Sequence, residues 1–365
     1  MGSARKHGLK LLIAGGGTGG HVIPAIAVAR EWLGRDVTRD VVFVGTTRGL
    51  ESRLVPEAGL KLELIRSAGL KGMGASQFIR NILLLRLAFW DSLAILRRHH
   101  FAAAFGVGGY AAGPVMLSAI LSGLPTVIFE PNAEAGFTNR VLADMADRIA
   151  AGFPSVAEKL GRRAVMTGCP VRADFFQAPQ ARPLPPYRIF ITGGSQGSRA
   201  VNRAVIEALK ILASEARRLR IVHQTGEREY NVMREAYAGI NIAAAEIAPF
   251  FSNMAQRFAE ADLIICRSGA ITVSEVAAAG RAAIFIPFGA ATDSHQMRNA
   301  EELVRNGAAH LIPEPELTGA RLAREILALI DHPERLVELG TRARLLARPH
   351  AVERIVDLIE EVARS

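Results

Sequence analysis

Cysteine is nearly absent from this chain: 365 residues contain two, Cys169 and Cys266, with no CxxC spacing. That excludes a disulfide framework, argues against a zinc site and fits a reducing compartment. No stretch of 18 uncharged apolar residues occurs, so the sequence shows no obvious membrane span. The N-terminus MGSARKHGLKLLIAGGG is basic, but its apolar run before glycine is too short for a signal peptide. Lys6 stands where a myristoylation signal requires Ser or Thr. Aromatic residues make up 6%, and no basic and aromatic module of known spacing appears. The arginines are scattered through helical patterns, so the formal charge of +9 is not read as nucleic-acid binding. It points instead to another anionic partner, a nucleotide or an acidic lipid surface.

What is present is a globular composition, 50% hydrophobic and 22% charged, in a chain long enough for two domains. Strand-like runs alternate with longer helical patterns. The first half has LKLLIA, DVVFVG, FAAAFGVG, PTVIFE, ADRIAAG and RAVMTG; the second has RIFITGG, LRIVHQTG, INIAAAEI, ADLIICRSG and AAIFIPF. Short apolar runs separated by helices imply buried parallel sheets with crossover helices, an α/β fold. An internal echo divides the chain. IAGGGTGGH at 13–21 and ITGGSQGSR at 191–199 each place a Gly-rich turn between a strand and a helix, about half the chain apart. The expected architecture is two Rossmann-like doubly wound domains. Between them QAPQARPLPPYR at 177–188 carries four prolines, which suit neither a helix nor a central strand. The hinge is expected near GCPVR at 168–172 and this segment, which gives domains of 1–172 and 173–349. The amphipathic stretch at 350–365 suits packing on either.

A Gly-rich turn leading into a helix presents free backbone N–H groups to an anion, usually phosphate. Gly15, Gly17 and Gly20 satisfy GxGxxG, but DVVFVG ends in Gly45-Thr46-Thr47-Arg48, without the acid that a dinucleotide site places on its ribose. The strand after the second turn ends in His223-Gln224-Thr225, again without one, and neither turn has the Lys-Ser/Thr of a P-loop. His21 has two readings: hydrogen bonding to its own loop, or a polar group at the carboxyl end of a first strand, where an imidazole can take a proton. ADLIICRSGAITVSEVAAAG at 261–280 delivers Arg267 and Ser268 to the sheet edge. A helix is expected from near Thr272, with Glu275 either serving two ribose hydroxyls or merely belonging to a capped helix. The cluster Asp293, His295, Gln296 and Asn299 offers amides and imidazole to a polyhydroxy ligand. Its spacing is poor for a metal site.

The motifs GGGTGGHVIPAIAVA, GVGGYAAGP, EPNAEAGFTNR, GCPVR, ITGGSQGSRAVN and CRSGAITVSEVAAAG…PFGAATDSHQMRNA resemble, in this order, the MurG family of peptidoglycan N-acetylglucosaminyltransferases, from about residue 10 to 312. The resemblance implies the GT-B glycosyltransferase fold, two Rossmann-like domains facing a cleft. It implies transfer of N-acetylglucosamine from UDP-N-acetylglucosamine to lipid I, giving lipid II for cell-wall synthesis, cell shape and division. The donor is then expected on the C-terminal domain, the lipid-linked acceptor on the N-terminal one, and helix 350–365 back on the first domain. Carried over by motif, Thr18, Gly19 and Gly20 lie near the donor sugar and diphosphate, and Asn132 contacts the sugar. Arg172 and Ser195 bind near the nucleotide and phosphates. Ala270, Ile271, Thr272, Val273, Ser274 and Glu275 hold the nucleoside, and Gln296 grips sugar hydroxyls. Phe251 replaces a smaller aliphatic residue whose backbone faces uracil. Tyr110, Glu130 and Asn139 match polar positions of the acceptor side or of catalysis, and Asn202 and Arg267 match further polar positions. Two departures stand out: Pro131 replaces the commoner Gln of EQN, and His295 stands where some relatives have a second Gln.

The chemistry implied is inverting transfer, with His21 the candidate base. The growing diphosphate charge would be met by backbone N–H groups, Ser195 and helix N-termini, so no metal or other cofactor is expected. A lipid acceptor requires contact with an anionic membrane. GLKGMGASQFIRNILLLRLAFWDSLAILRRHH at 69–100 carries Phe78, Ile82, Leu85, Phe89 and Trp90 beside Lys71, Arg80, Arg86, Arg97 and Arg98. Peripheral attachment at the cytoplasmic face of the inner membrane is expected, with other cell-wall synthesis proteins as further partners. The rival readings are another GT-B lipid glycosyltransferase, a UDP-N-acetylglucosamine 2-epimerase and a non-catalytic UDP-sugar sensor.

Overall fold

The computed structural model describes residues 8–67, 75–109, 111–240, 245–289 and 294–364, with the backbone alone for 75–83. The chain divides into two compact units: Met1–Pro170 with His350–Ser365, and Val171–Pro349.

The first unit alternates strands and helices. In chain order these are β1 (Lys10–Ala14), α1 (Gly19–Gly34), β2 (Asp40–Gly45), α2 (Glu51–Glu57), β3 (Lys61–Leu64), α3 (Ala75–Arg98), β4 (Ala103–Gly106), α4 (Ala112–Leu121), β5 (Thr126–Glu130), α5 (Phe137–Ala143), β6 (Arg148–Ala151), α6 (Pro154–Leu160) and β7 (Ala164–Met166). The second unit continues with α7 (Ala173–Phe176), β8 (Tyr187–Thr192), α8 (Arg199–Ile211), β9 (Leu219–Gln224), α9 (Tyr230–Ala238), β10 (Ala245–Ala248), α10 (Met254–Glu260), β11 (Leu263–Cys266), α11 (Ala270–Ala279), β12 (Ala282–Phe285), α12 (His295–Val304), β13 (His310–Leu311), α13 (Gly319–Ile330) and α14 (Pro333–Leu345). The closing helix α15 (Ala351–Arg364) belongs to the first unit.

Both sheets are parallel and wound alike. The first has the order β3-β2-β1-β4-β5-β6-β7, the second β10-β9-β8-β11-β12-β13. In each, the chain leaves the first strand in one direction and returns on its other side. That reversal opens a crevice beyond the carboxyl ends of β1 and β4, and of β8 and β11, where α/β sheets bind ligands. Two strands escaped the run-by-run reading, β3 and β13. β3 is an edge strand whose residues KLEL are all at least partly exposed, and β13 has two residues. Neither buries both faces, so neither needs an unbroken apolar run.

The helices follow from where their apolar residues fall. In α8, Val201, Ala204, Val205, Ala208 and Leu209 are buried while Arg199, Arg203 and Lys210 face out, the spacing of a single stripe. The stripe joins Ile189, Ile221 and Leu263 in the second core. In α15, Ile355, Val356 and Ile359 are buried and the polar side is tied down by arginine. Arg35 donates to Asp357, Glu360 and the Glu353 carbonyl, and Arg39, stacked on Trp32, also donates to Glu360. α15 therefore packs on the first unit.

Candidate functional site

Residues 15–18 link β1 to α1 at the first switch point, and their glycines answer to two different demands. A Cβ on Gly16 would stand 2.2 Å from the Glu51 carboxyl carbon, and one on Gly45 or Gly49 would lie 2.5 or 1.9 Å from Glu51 atoms. Gly15 faces Val107, and Gly109 closes on the Gly16 carbonyl, so the turn after β4 interlocks with the turn after β1. These glycines make room for the protein itself. Gly17 differs: with φ of 95° it has nothing within 4 Å of its Cβ position. Thr18 and Gly20 are exposed, and the N–H groups of Gly19 and Gly20 begin α1 without an acceptor among the described residues.

His21 sits in that first turn, with Nδ1 3.3 Å from Thr18 Oγ1 and Nε2 beside Gly108. Burial lowers its pKa below the usual imidazole value, against a backbone hydrogen bond at Gly16 and the charge of Glu51. A neutral imidazole near pH 7 is the form that accepts a proton.

Glu130 and Asn139, matched to the acceptor side or to catalysis, are enclosed by protein. Glu130 is 1% exposed, and its oxygens accept from the backbone N–H and Nδ2 of Asn132, the N–H of Gly136 and Nδ2 of Asn139. Asn139 also donates to the Phe129 carbonyl. The pair clamps the loop 131–136 from beneath. Asn132, partly exposed on that loop, is what the clamp holds in place. Tyr110 and Asp293 lie outside the described residues, as do Lys71 and the side chains of Phe78, Arg80 and Ile82. Of the remaining patch residues on α3, Leu85 and Phe89 are partly buried and Trp90 is 60% exposed, edge-on to Phe89.

The second unit repeats the plan with different parts. Gly193 packs on the Ser198 amide and Gly197 on the Thr225 carbonyl, while Gly194, φ 89°, faces open space. Ser195 beside it is exposed. Ser198 caps α8, accepting from Val201 N–H at 3.3 Å and from Arg267 Nη2 at 2.6 Å. The turn is braced by Gln224, which donates to Thr192 Oγ1 and the Gly194 carbonyl and accepts from Phe251 N–H. The N–H of Phe251 is thus consumed inside the protein; only its carbonyl is left to meet a base.

α11 starts at Ala270, two residues earlier than the sequence suggested, with Gly269 as N-cap. Without a side chain there to cap it, the N–H groups of Ala270, Ile271 and Thr272 have no acceptor among the described residues, an anion- or carbonyl-binding end. Val273 is fully buried and its N–H donates to the Gly269 carbonyl. Ser274 turns its hydroxyl back onto the Ala270 carbonyl. Glu275, in the second turn, is partly exposed and accepts no hydrogen bond from described residues. Desolvation pushes its pKa up to about 8, opposed by Arg172 and reinforced by Asp174. Arg172 is exposed at the start of α7, 3.6 Å from Asp174. Gln296 accepts from Phe288 N–H and is anchored through its carbonyl by the Ser268 hydroxyl.

Asn202 and Arg267, read as functional polar positions, are enclosed. Asn202 donates to the Thr225 carbonyl and meets His223 Nε2, whose other nitrogen meets the Tyr237 hydroxyl. Burial pushes His223 down to about 3, so this network stays uncharged. Arg267 donates to the carbonyls of Ile286 and Pro287, to Ser198, and to Glu314 in an ion pair. Both brace the turns. Sequence reading missed Glu51 and Gln224 as braces; the signal available was the pair Gly45 and Gly49 preceding an acid in GTTRGLE.

A cavity of about 400 Å³ lined by Leu124, Thr126, Asp147, Arg148 and Glu361 lies at the amino ends of β5 and β6, the edge opposite the turns. Among the described residues no three His, Cys, Asp or Glu gather to hold a metal ion.

Residues 11–151 match the glycosyltransferase family 28 N-terminal domain and residues 188–357 its C-terminal domain. The chain is 44% identical over 360 residues to the UDP-N-acetylglucosamine–N-acetylmuramyl-(pentapeptide) pyrophosphoryl-undecaprenol N-acetylglucosamine transferase of an Anaeromyxobacter species, covering 98% of this chain and 94% of that protein. It is 42% identical over 354 residues to the protein of the same name from Solibacter usitatus, covering 97% and 96%. The crystal structure of Acinetobacter baumannii MurG superimposes with a TM-score of 0.81 at 34% identity, over 97% of this chain and 99% of that one.

Proposed function

The chain belongs to glycosyltransferase family 28, within it to the MurG proteins with the GT-B fold, and from that premise we propose that it transfers N-acetylglucosamine from UDP-N-acetylglucosamine to N-acetylmuramyl-(pentapeptide) pyrophosphoryl-undecaprenol, lipid I, making lipid II. The observation that carries this reading is the pair of Gly-rich turns at the two switch points, each keeping one glycine open, in a chain whose full-length relatives bear that transferase name.

The second unit takes the donor. Backbone donors at Ala270, Ile271 and Thr272 and the carboxyl of Glu275 suit a nucleoside, and the Gly194-Ser195 turn with the start of α8 suits its diphosphate. Arg172 adds positive charge, Gln296 offers its amide N–H groups to sugar hydroxyls, and the Phe251 carbonyl faces the base. The first unit takes the acceptor, and its Thr18, Gly19, Gly20 and Asn132 suit sugar hydroxyls. The acceptor 4-hydroxyl attacks the anomeric carbon, the bond from that carbon to the diphosphate oxygen breaks, and its electron pair leaves with UDP. His21 accepts the hydroxyl proton. The charge that develops on the diphosphate is met by backbone N–H groups already in place, which need no metal ion.

No helix among the described residues is long and apolar enough to cross a membrane. We assign the protein to the cytoplasmic face of the inner membrane, docked peripherally on anionic lipid through α3, where Trp90 and Leu87 stand exposed near Arg86, Arg97 and Arg98. Transfer of labelled N-acetylglucosamine from UDP to a lipid I analogue tests the reading. The expected product is the lipid-linked disaccharide; release of free N-acetylmannosamine and UDP, or binding without product, would overturn it.

A further inference from the structure

Glu51 is a buried acid without a counter-ion. It is 1% exposed and forms no ion pair among the described residues. Three hydrogen bonds replace the cation: Oε2 accepts from Gly17 N–H at 2.7 Å, and Oε1 from the N–H and hydroxyl of Thr46, each at 2.9 Å. Burying a carboxylate costs several kcal/mol unless its acceptor sites are filled. Here the fold gives up side chains at Gly16, Gly45 and Gly49 to admit it. A neutral strut would meet the packing demand alone, so the charge itself needs a use.

Its position supplies one. The N–H that it grips belongs to Gly17, the residue where the turn opens to solvent, and Gly19 and Gly20 follow directly. His21 lies in its electrostatic field, and the groups the imidazole meets at Thr18, Gly16 and Gly108 are uncharged. We propose that Glu51 is a positioning residue for the transfer reaction: it fixes the 15–18 turn so that the amides beyond it and His21 face the reacting sugar, and its negative charge stabilises the imidazolium formed when His21 takes the acceptor proton. Glu51 itself gains no proton and forms no bond. The proposal rests on the reading of His21 as the base.

The test is Glu51→Gln in the full chain, with His21→Ala, Gly16→Ala and Thr46→Val beside it. Glu51→Gln keeps the shape but turns an amide N–H₂ toward the donors. Its kcat is expected to fall on the order of tenfold to a hundredfold, less than the roughly 10²–10⁴-fold of an acid–base group itself, because Glu51 acts through His21. The acid limb of its kcat/KM profile moves to lower pH, because the imidazolium has lost its negative neighbour. UDP affinity stays within about twofold, since the nucleotide groups belong to the other unit. Gly16→Ala drives a Cβ into the carboxyl and is expected to reproduce the loss, with the double variant no worse than either single one. Thr46→Val removes one hydrogen bond and leaves the charge: a smaller loss of kcat, with the acid limb in place, separates geometry from field even if Glu51→Gln does not fold. Glu51→Gln with normal kcat and an unmoved acid limb, while His21→Ala loses turnover, overturns the proposal and leaves the functional reading standing. Normal turnover in both overturns the assignment of His21 as well.

Discussion

Glu275 is the residue whose chemistry is most exposed to measurement. Its pKa of about 8 means that near neutrality the free protein holds it largely protonated. Two ribose hydroxyls are donors and are best met by the ionised form, so nucleotide binding and proton release are linked. UDP-N-acetylglucosamine is the ligand to use, because its diphosphate diester does not titrate near pH 7. Its affinity is expected to rise as pH climbs toward about 8, by at most about tenfold per unit, and to level off above. Calorimetry in buffers of differing ionisation enthalpy should register proton uptake by buffer; Glu275→Gln should bind more weakly and lose the slope. Stability runs the other way. The folded pKa lies above the ordinary carboxyl value of 4.5, so the folded state binds more protons than the unfolded one between about 4.5 and about 8, and Glu275 contributes less stability as pH rises through that window. Glu130 and Asn202 teach the complementary lesson. Polar residues in motif positions do not all meet ligand; these two spend their hydrogen-bonding capacity on the loops that carry Asn132 and the second turn.

Among the elements, the turn-to-helix junctions do the most. Ser198 closes the N-terminus of α8 and also receives the buried Arg267, so Ser198→Ala removes a cap and leaves a guanidinium short of one partner. A loss of about 1–2 kcal/mol is expected in urea unfolding of the full chain, larger than that of an exposed serine such as Ser52. A change no greater than that control would show the cap to be idle. α3 is the second element with a separable task. It packs against α4 and leaves Trp90 and Leu87 toward solvent. Phe89→Ser with Trp90→Ser is expected to weaken binding to anionic liposomes severalfold, at roughly 25 cal/mol per Å² of apolar surface withdrawn. Co-sedimentation reads this, and turnover of a water-soluble acceptor should change little. Unaltered liposome binding by the folded variant would remove α3 from the membrane contact.

For the whole molecule, two sheets of the same winding repeat one solution: a switch point, a Gly-rich turn and a brace behind it, Glu51 in one unit and Gln224 in the other. If backbone amides carry the diphosphate charge, excess EDTA should leave transfer unchanged, and a metal-dependent rate restored by magnesium would refute that assignment. Much of this was legible in residue order. The apolar runs of β1, β2, β4, β5 and β6 are buried on both faces, and the Gly-rich turns follow their strands directly, so local pattern sufficed. β3 and β13 were illegible because edge strands need no apolar run. The start of α11 was misplaced because its N-cap is a glycine, which carries no side-chain signal. By itself the sequence determined the α/β class, the repeated turn and the family, since these rest on periodicity and on motifs of adjacent residues. Only the tertiary structure decided which glycines admit a ligand and which admit Glu51, and which polar residues face outward. For Gly17 and Asn202 the deciding partners, Glu51 and Thr225, lie 34 and 23 residues along the chain, and residue order does not carry that distance.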